Sequence, residues 1–351
     1  MKKVGIVMVN YKDYAKRFLA ECRDSLLGQT YSNFQVYIVD NASSEDSRRA
    51  IAEIYPEAKI LERGDGNYSA ANNLGLKQAL FDGAEIMVIA NMDTAFKEDW
   101  LAELVSGLES DSKVGIAQSK ILVYPANGEK AKINSLGNCL HFLGFGFTSS
   151  YLEGDREIQG YPEIKGYASG CSLAMKKEVL EKIGGYNEEY YMYHDDVEVG
   201  CKTKLAGYKI ILTPKSICYH KFEFSRSVKK IYFMERNRFL FIFSFYELTT
   251  ILVIIPALLI MELGQLVFAL VRGWWPEKLK AYAYFLRSSS WRKLLAERKK
   301  IQSSRVVVDK YFVQDLVSEI FSQEIDNPIL KKIANPFFKA YWKIAKKFIE
   351  A

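Results

Sequence analysis

Three short apolar runs in the first third of the chain constrain its fold most strongly. They are VGIVMV (4–9), QVYIV (35–39) and IMVIA (86–90). Each is rich in β-branched residues and lacks polar alternation, which is typical of strands covered on both faces. Helical patterns separate the runs, at about residues 14–28, 45–54 and 69–82. A weaker strand is predicted near residues 59–61. This alternation predicts an α/β protein with a parallel sheet.

Polar residues follow the predicted strands at the points where the strands end. Asn10 and Tyr11 follow the first strand, Asp40 follows the second, and residues 91–93 (Asn-Met-Asp) follow the fourth. Ligands of open α/β sheets bind outside the carboxyl ends of the strands, so these positions predict a binding site. Taken singly, Asp and Asn at such positions are also typical of helix caps and turns.

A second acidic group lies much later, at the start of a predicted helix from Val197 to Ala206. Asp195 and Asp196 fall at the N-terminus of this helix, where the helix dipole stabilises carboxylates. A cap alone would explain the pair. However, Glu198 and the run YYMY (190–193) add more acid and more aromatic surface than a cap requires. Aromatic faces beside carboxylates are typical of sugar-binding sites, although aromatic residues are also common in cores.

Composition places the chain among globular proteins of about two domains. It has 351 residues, of which 49% are hydrophobic, which excludes disordered and collagen-like classes. The five cysteines form no C-x-x-C pair, so we expect reduced core residues rather than a zinc site. The net charge of +6 divides unevenly. Residues 1–220 carry 25 Lys and Arg against 30 Asp and Glu, whereas residues 221–351 carry 23 against 12.

The motifs of several common enzyme classes are absent from the sequence. No G-x-G-x-x-G follows the first strand, and there is no P-loop and no G-x-S-x-G. What the sequence offers instead is Asp93, whose carboxylate suits a hard divalent cation that also binds a diphosphate. A carboxylate of the Asp195–Asp196 pair would then be suited to deprotonate an attacking hydroxyl group.

This chain resembles family 2 glycosyltransferases with the GT-A fold, of the rhamnosyltransferase-like branch that builds bacterial or archaeal surface polysaccharides. The resemblance covers about residues 3–240 in consistent order and spacing. Its motifs are VNYKD (9–13), VDNASSED (39–46), YSAANNLGL (68–76), NMDT (91–94), SGCSLAMKKEVLEKIGGYNEEYYMYHDDVE (169–198), LAGYKI (205–210), His220 followed by Ser225, and RNR (236–238). The resemblance implies a nucleotide-sugar-binding α/β fold with a mostly parallel sheet flanked by helices.

By this resemblance, the nucleotide base of the donor lies beside Asn10 and Tyr11, and Asp40 accepts hydrogen bonds from the base or ribose. Asp93 takes the position of the D-x-D motif and binds Mg²⁺ or Mn²⁺ together with the donor diphosphate. His220 is implied as a metal ligand or a diphosphate contact, with a structural role as the alternative. The remaining implied donor-binding residues are Asn73, Asn91 and Glu198.

The implied reaction is an inverting, single in-line displacement at the anomeric carbon. Asp196 is implied as the general base that activates the acceptor hydroxyl. The family commonly has Glu where this chain has Asp195, and Asp where it has Glu198, so Asp195 and Asp196 both remain candidates for the base. The first expectation for the donor is dTDP-rhamnose, followed by UDP-hexoses. The expected acceptor is a glycan or a sugar on a polyprenyl diphosphate.

The tail after the catalytic body is basic and contains the longest apolar run. Between Glu247 and Arg272 lie 24 residues with one charge, Glu262, which is long enough to span a bilayer. Basic clusters flank the run on both sides, contrary to the positive-inside tendency of a single span. We therefore expect an in-plane or re-entrant pair of helices, anchored by Trp274 and Trp275. The alternative is a helical subdomain packed on the body or on another subunit.

These features predict a GT-A catalytic domain at residues 1–235 and a helical, basic, membrane-associating region at residues 236–351. The final segment, residues 337–347, has the spacing of an amphipathic surface helix. The expected location is the cytoplasmic face of the cell membrane, where the basic tail rests on anionic lipid rather than on nucleic acid.

Two other functions fit a similar sheet. A sugar-phosphate nucleotidylyltransferase would need a Gly-rich, Arg-containing loop after the first strand, and residues 10–13 (NYKD) do not form one. A membrane-attached scaffold that has lost its chemistry is the non-enzyme alternative. Against it, every acidic position expected for catalysis is occupied by an acid.

Overall fold

The computed structural model describes residues 1–41, 44–125, 130–148, 150–221, 228–321 and 327–350. Ser225 and part of the VDNASSED motif, residues 42 and 43, therefore lie outside the described residues. By its internal contacts the chain divides into two compact units. The first comprises Met1–Asn138, Thr148–Thr203 and Tyr208–Glu223, and the second comprises Cys139–Phe147, Lys204–Gly207 and Phe224–Ala351.

The strands and helices are numbered separately in chain order. The strands are β1 (Val4–Tyr11), β2 (Phe34–Asn41), β3 (Lys59–Arg63), β4 (Ile86–Ala90), β5 (Thr94–Phe96), β6 (Val114–Val123), β7 (Ile133–Ser135), β8 (Asn138–Leu140), β9 (Gly146–Thr148), β10 (Ser172–Lys176) and β11 (Lys209–His220). The helices are α1 (Tyr14–Leu27), α2 (Glu45–Ile54), α3 (Tyr68–Phe81), α4 (Trp100–Glu109), α5 (Lys177–Ile183), α6 (Asp195–Leu205), α7 (Val228–Phe245), α8 (Leu248–Arg272), α9 (Trp275–Tyr284), α10 (Ser288–Ser304), α11 (Asp309–Phe312) and α12 (Asn335–Glu350).

The first unit is built around one large sheet with the strand order β3-β2-β1-β4-β10-β6-β11-β5, and β7 pairs with β6. The pairs β1–β2, β1–β4, β2–β3 and β6–β11 are parallel, whereas β10 is antiparallel to both β4 and β6. The predicted α/β class with a mostly parallel sheet is confirmed, as are the predicted helices that became α1, α2 and α3. The carboxyl ends of β1, β2 and β4 lie at one edge.

Close packing of α3 on the sheet depends on a glycine. A Cβ atom at Gly75 would overlap the side chain of Val7 in β1, so only glycine lets the helix approach this closely. One face of the sheet, with α1 and α4, forms an apolar core that includes the fully buried Trp100. This packing fixes the start of α3, and therefore Tyr68 and Asn73, relative to the edge where the predicted site lies.

The second unit is helical in its C-terminal part and corrects one expectation about the tail. Helix α8 runs without a break from Leu248 to Arg272, through Pro256. The predicted pair of helices in this stretch is therefore wrong, because a single helix occupies it. The predicted surface helix near residues 337–347 is confirmed as α12. The predicted domain boundary between residues 235 and 236 stays a prediction.

Candidate active site

The polar residues after β1 and β2 meet at the edge of the sheet, as their positions in the sequence predict. Asn10 and Asp40 are opposite each other in the parallel register, and Asn10 Nδ2 donates a 2.7 Å hydrogen bond to Asp40 Oδ1. Asn10 Oδ1 accepts from the backbone N–H of Ala15 in α1. Asn10 is fully buried, so the contacts assign it the task of orienting Asp40. Its contact with a nucleotide base stays a prediction.

The second carboxylate oxygen of Asp40 is a candidate donor-binding atom. Its side chain is 1% exposed, and Oδ2 has no hydrogen-bond partner among the residues that the structure describes. An unsatisfied buried acceptor costs about 1–3 kcal/mol, which a ligand N–H or O–H group at this position would recover. Tyr11 is 45% exposed at the same edge, and Lys12 Nζ lies 5.4 Å from the centre of its ring. Tyr11 is thus exposed in this structure, whereas Asn10 and Asp40 are both buried.

Asp93 and His220 are brought together by an antiparallel strand pair. His220 ends β11 and lies opposite Thr94, the first residue of β5, so its ring falls next to Asp93. Asp93 Oδ2 is 3.3 Å from His220 Nε2, and both side chains are nearly buried. Burial alone would raise the pKa of Asp93, but the hydrogen bond and charge of His220, with the hydrogen bond from Tyr14, lower it below its ordinary value. Asp93 is therefore a carboxylate at neutral pH.

The pair fits a divalent cation that takes its other ligands from a substrate. Asp93 Oδ1 is buried and has no hydrogen-bond partner among the described residues, so it is available as a ligand. Within the same described ranges, no group of three or more His, Cys, Asp and Glu side chains is arranged to hold a metal ion. A carboxylate suits Mn²⁺ or Mg²⁺ when diphosphate oxygens and waters complete the shell.

Tyr14 is a member of this cluster that the sequence reasoning missed. It is the first residue of α1, and its hydroxyl group donates to Asp93 Oδ2, the same oxygen that faces His220. Its ring packs against Phe18, with ring centres 4.7 Å apart. Burial, followed by the charge of Asp93, raises the pKa of the Tyr14 hydroxyl, so it stays a donor at neutral pH. The only sequence signal is its place at the start of a helix behind a strand end.

The carboxylate pair lies in the first turn of α6, as predicted. Asp196 Oδ2 accepts a 3.0 Å hydrogen bond from the backbone N–H of Gly170. Burial raises the pKa of Asp196 to about 6, and the Gly170 hydrogen bond limits that rise. Burial, then the neighbouring charge of Asp196, raises the pKa of Asp195 well above its usual range. Asp196 is therefore the member of the pair that is suited to accept a proton near neutral pH.

Gly170 and Cys171 connect this pair to the Asp93 cluster. Gly170 N–H holds Asp196, while the carbonyl of Cys171 accepts a 3.0 Å hydrogen bond from the N–H of Asn91. Cys171 is buried, and besides burial and Cys218, the charges of both Asp93 and Asp196 raise the pKa of its thiol. Backbone hydrogen bonds of residues 170–171 thus connect the Asp195–Asp196 pair to the segment that carries Asp93.

Tyr68, at the start of α3, is a second residue that sequence reasoning missed. Its hydroxyl group lies 3.5 Å from Asn91 Oδ1, at the outer limit of a hydrogen bond. Burial raises the pKa of Tyr68, and the charges of Asp195 and Asp196 add to the rise. Tyr68 therefore contacts the Asn91 side of the site and also faces the carboxylate pair.

Asn73 and Glu198 have structural partners in the described chain. Asn73 exchanges two 2.9 Å hydrogen bonds with the backbone of Tyr186. Glu198 is 1% exposed and forms an ion pair with Lys202, whose Nζ also donates to the carbonyl of Gly185. Both side chains thus hold the turn before the carboxylate pair. Their contacts with a donor stay predictions.

A strained segment leads into the carboxylate pair. Tyr191, Tyr193 and His194 have positive φ angles of 63°, 64° and 59°, which are rare for residues with side chains. At Tyr191 the chain makes a tight γ-turn, closed by a 2.7 Å hydrogen bond from Met192 N–H to the Tyr190 carbonyl. The Tyr191 carbonyl in turn accepts from the N–H groups of Tyr68 and Ser69 in α3. Such strain persists where the surroundings fix a functional geometry.

Comparison with known families gives a match over half of the chain. The model of the family described as Glycosyl transferase family 2 matches residues 5–184. The fold is similar to that of solved glycosyltransferases at low sequence identity. TarS of S. aureus, solved in complex with UDP, has a TM-score of 0.50 and 14% identity, covering 98% of this chain and 90% of that chain. GalNAc-T7, solved with UDP, GalNAc and Mn²⁺, has a TM-score of 0.53 and 14% identity, covering 70% and 50%.

Curated relatives are more similar in sequence. An uncharacterized protein, y4gI of Sinorhizobium fredii, is 29% identical over 58% of this chain and 23% of its own length. The O-antigen biosynthesis protein RfbC of Myxococcus xanthus is 28% identical over 65% of this chain and 18% of its length. The chain thus spans about a fifth of these two relatives. N-acetylglucosaminyl-diphospho-decaprenol L-rhamnosyltransferase of Mycobacterium tuberculosis is 25% identical over 62% of this chain and 75% of its length.

Proposed function

Because the chain belongs to glycosyl transferase family 2, we propose that it is an inverting, metal-dependent glycosyltransferase of cell-surface polysaccharide biosynthesis. It moves a sugar from a nucleotide-diphosphate donor to a hydroxyl group of a glycan or lipid-linked sugar. The single observation that carries this proposal is the shared site: the Asp93–His220 pair and the Asp195–Asp196 pair are joined through residues 170–171.

The roles of this chain's residues follow from their contacts. Asp40, oriented by Asn10, offers the free Oδ2 to an N–H or O–H group of the nucleotide. Asp93 and His220 would hold a Mg²⁺ or Mn²⁺ ion, which supplies positive charge to the departing diphosphate. Asp93 would present Oδ1 to the metal ion, because Tyr14 and His220 both face Oδ2.

Asp196 acts as the general base. Gly170 holds its Oδ2, which leaves Oδ1 to take the proton of the acceptor hydroxyl. As that proton leaves, the acceptor oxygen forms a bond to the anomeric carbon, and the bond from this carbon to the diphosphate oxygen breaks on the opposite face. The product is a glycoside of inverted configuration and a nucleoside diphosphate. Burial and the charge of Asp196 raise the pKa of Asp195, which disfavours two negative charges on the pair.

The donor and acceptor are proposed from the relatives. Rhamnosyl transfer from a dTDP-sugar is the first proposal, because relatives with rhamnosyltransferase names match 62% and 56% of this chain. UDP-hexoses are the second, since TarS and GalNAc-T7 were solved with UDP. An acceptor sugar on a polyprenyl diphosphate follows from the name of the mycobacterial relative. Such an acceptor is presented at a membrane, so we place the protein at the cytoplasmic membrane face.

The proposal is tested with a matched pair of variants. Asp196→Asn is expected to abolish transfer while nucleotide binding, measured by thermal shift with and without Mn²⁺, stays largely intact. Asp195→Asn removes a neighbouring carboxyl and is expected to retain measurable turnover. The reverse result would assign the base to Asp195. Full turnover in both variants, or nucleotidyl transfer to a sugar phosphate by the wild type, would overturn the proposed mechanism.

A further inference from the structure

Helix α8 has two opposite apolar faces, and only one of them is covered within the second unit. The covered face includes Ile254, Ala257 and Met261. On the other face, apolar residues recur at helical spacing along the whole length of α8 and are exposed to solvent. Its exposed residues, hereafter the open face, are Leu248, Leu252, Ile255, Leu259, Ile260, Leu263, Val267, Leu270 and Val271. Long exposed apolar stripes of this kind mark interaction sites.

The covered face of α8 is fixed by a network of buried charges. Glu262 pairs with Arg238 of α7 and, at 2.7 Å, with Lys278 of α9. Glu235 of α7 accepts from the same two cations. Gln265 and Tyr282 complete the network by hydrogen bonds. Two carboxylates and two cations leave no net charge, so the one acid of the apolar run is neutralised on the protein side.

This network restricts the orientation in which α8 can bind a membrane. Glu262 and Gln265 lie in the second half of α8, about 21 Å along the axis from Leu248, and they tie α7 and α9 alongside the helix there. If α8 crossed a bilayer, these neighbours would be drawn into the hydrocarbon core. Lys280 of α9, whose side chain is 63% exposed, would then lie in lipid at high free-energy cost. A helix lying on the surface avoids this cost.

The residues that continue from α8 match the chemistry of an anionic lipid surface. Exposed basic side chains follow the open face, and exposed tryptophans lie among them, as is typical of membrane interfaces. The exposed residues of these two kinds include Arg272, Trp275, Lys280, Arg287, Trp291, Arg292 and Lys293. Residues 221–351 as a whole carry 23 Lys and Arg against 12 Asp and Glu.

We infer that α8 lies in the plane of an anionic phospholipid membrane, with its open face in the lipid and its charged network on the protein side. The inference rests on the proposed function only in placing the enzyme at a membrane; it specifies which surface binds and in which orientation. The open face extends over about 33 Å, so the helix attaches along its length rather than at one end.

The first test measures binding of the full chain to vesicles. Wild-type protein is expected to float with phosphatidylcholine vesicles that contain phosphatidylglycerol, and less with phosphatidylcholine alone. Leu252→Glu and Leu259→Glu are each expected to reduce the bound-to-free ratio about tenfold or more, because each removes a lipid-buried leucine. Phe81→Glu, at an 86% exposed position of α3, is the matched control and is expected to bind like wild type.

Transfer to a water-soluble acceptor analogue, measured in the same variants, separates this inference from the proposed function. Retained transfer with lost vesicle binding supports both. Lack of vesicle binding by an active wild-type protein overturns the inference alone, as does a dimer that Leu259→Glu dissociates, since the open face would then bind a second copy. Vesicle binding without transfer by the wild type counts only against the proposed function.

The second test measures orientation. Nitroxide labels on Leu252→Cys, Leu263→Cys and Leu270→Cys, at exposed positions, report depth through relaxation by oxygen and by an aqueous nickel complex. Equal depths are expected for a helix in the plane. Depths graded over about 27 Å from residue 252 to residue 270 would show a crossing helix and would overturn the inference.

Discussion

The hydroxyl group of Tyr14 donates a hydrogen bond to Oδ2 of Asp93, the same oxygen that lies 3.3 Å from Nε2 of His220. The contact joins the start of α1 to the segment after β4. Because both partners face Oδ2, Oδ1 is left as the oxygen without a partner in the described chain. Tyr14 therefore determines how Asp93 would present itself to a metal-bound diphosphate.

Tyr14→Phe is expected to weaken Mn²⁺ binding about 10–100-fold, the usual effect of removing an outer-shell partner of a metal ligand. The ring and its packing on Phe18 remain, so the fold is expected to persist. Mn²⁺ affinity is measured by titration in the presence of nucleoside diphosphate, and transfer activity is measured at saturating metal.

Tyr37→Phe is the matched control. Tyr37 also donates to an aspartate, Asp82 at 2.9 Å, but this pair lies at the C-terminal end of α3, away from the site. Its loss is expected to leave Mn²⁺ affinity unchanged. Equal Mn²⁺ affinities for Tyr14→Phe and wild type would refute the positioning role of Tyr14.

Gly170→Ala is expected to reduce kcat about 100-fold, since a displacement of about 1 Å in a reacting group can have that effect. A Cβ atom at Gly170 would overlap Asp196 Oδ1, and the carboxylate would have to move. Nucleotide binding is expected to persist because Asp40 lies elsewhere. Gly64→Ala, where a Cβ meets nothing within 4 Å, is the control. Wild-type kcat in Gly170→Ala would contradict the assigned geometry.

Activity is expected to fall about tenfold per pH unit below pH 6, because Asp196 accepts a proton only when ionised and burial raises its pKa to about 6. An ordinary Asp, with a pKa of about 3.9, would keep the rate constant down to about pH 4. The measurement is kcat against pH at saturating donor and metal, with nucleotide binding followed over the same range. A rate that stays flat from pH 7 to pH 5 would count against Asp196 as the base.

The raised pKa of Asp196 also predicts how the stability of the protein changes with pH. The fold holds the proton of Asp196 more tightly than the unfolded chain does, so this stabilising contribution is present below about pH 4 and is lost as the pH rises through about 6. Asp196→Asn is therefore expected to raise Tm at pH 7 and to change it little at pH 4. A lower Tm at pH 7 would show that the charged form is favoured in the fold.

Glu198→Gln is expected to destabilise the protein by about 3–5 kcal/mol, because it leaves the buried Lys202 without its countercharge. The specific activity of the molecules that remain folded at low temperature is expected to stay close to wild type. Glu109→Gln, which removes an exposed pair with Lys2, is the control, with an effect below about 1 kcal/mol. A donor KM that rises in Glu198→Gln while stability is unchanged would instead support direct donor contact.

The edge of the sheet that carries the site could be predicted because parallel strands align their carboxyl ends. Apolar runs of β1, β2 and β4 place Asn10, Asp40 and Asp93 at that edge without any tertiary information. The start of α6 was equally predictable from Asp195 and Asp196 themselves. These features depend on local periodicity and on a general rule of sheet topology.

Other parts of the site depend on contacts that no local pattern encodes. The proximity of His220 to Asp93 comes from the antiparallel pairing of β11 with β5, and the tether on Asp196 is a backbone N–H, which every residue except proline has. The positive φ angles at Tyr191 and Tyr193 are opposed to local preference and are imposed by surrounding contacts. In α8, apolar residues lie on both faces of the helix. The periodicity of its sequence therefore does not indicate which face is exposed.

The backbone of residues 170–171 fixes a distance within the candidate site. The N–H of Gly170 donates to Asp196, the proposed proton acceptor, and one residue later the carbonyl of Cys171 accepts from Asn91, two residues before Asp93. The separation between Asp196 and Asn91 is thereby set by main-chain hydrogen bonds, which depend on glycine at position 170. Substitutions that keep this glycine and these two hydrogen bonds would therefore leave the separation in place, so the side chains around a bound donor could change independently of it.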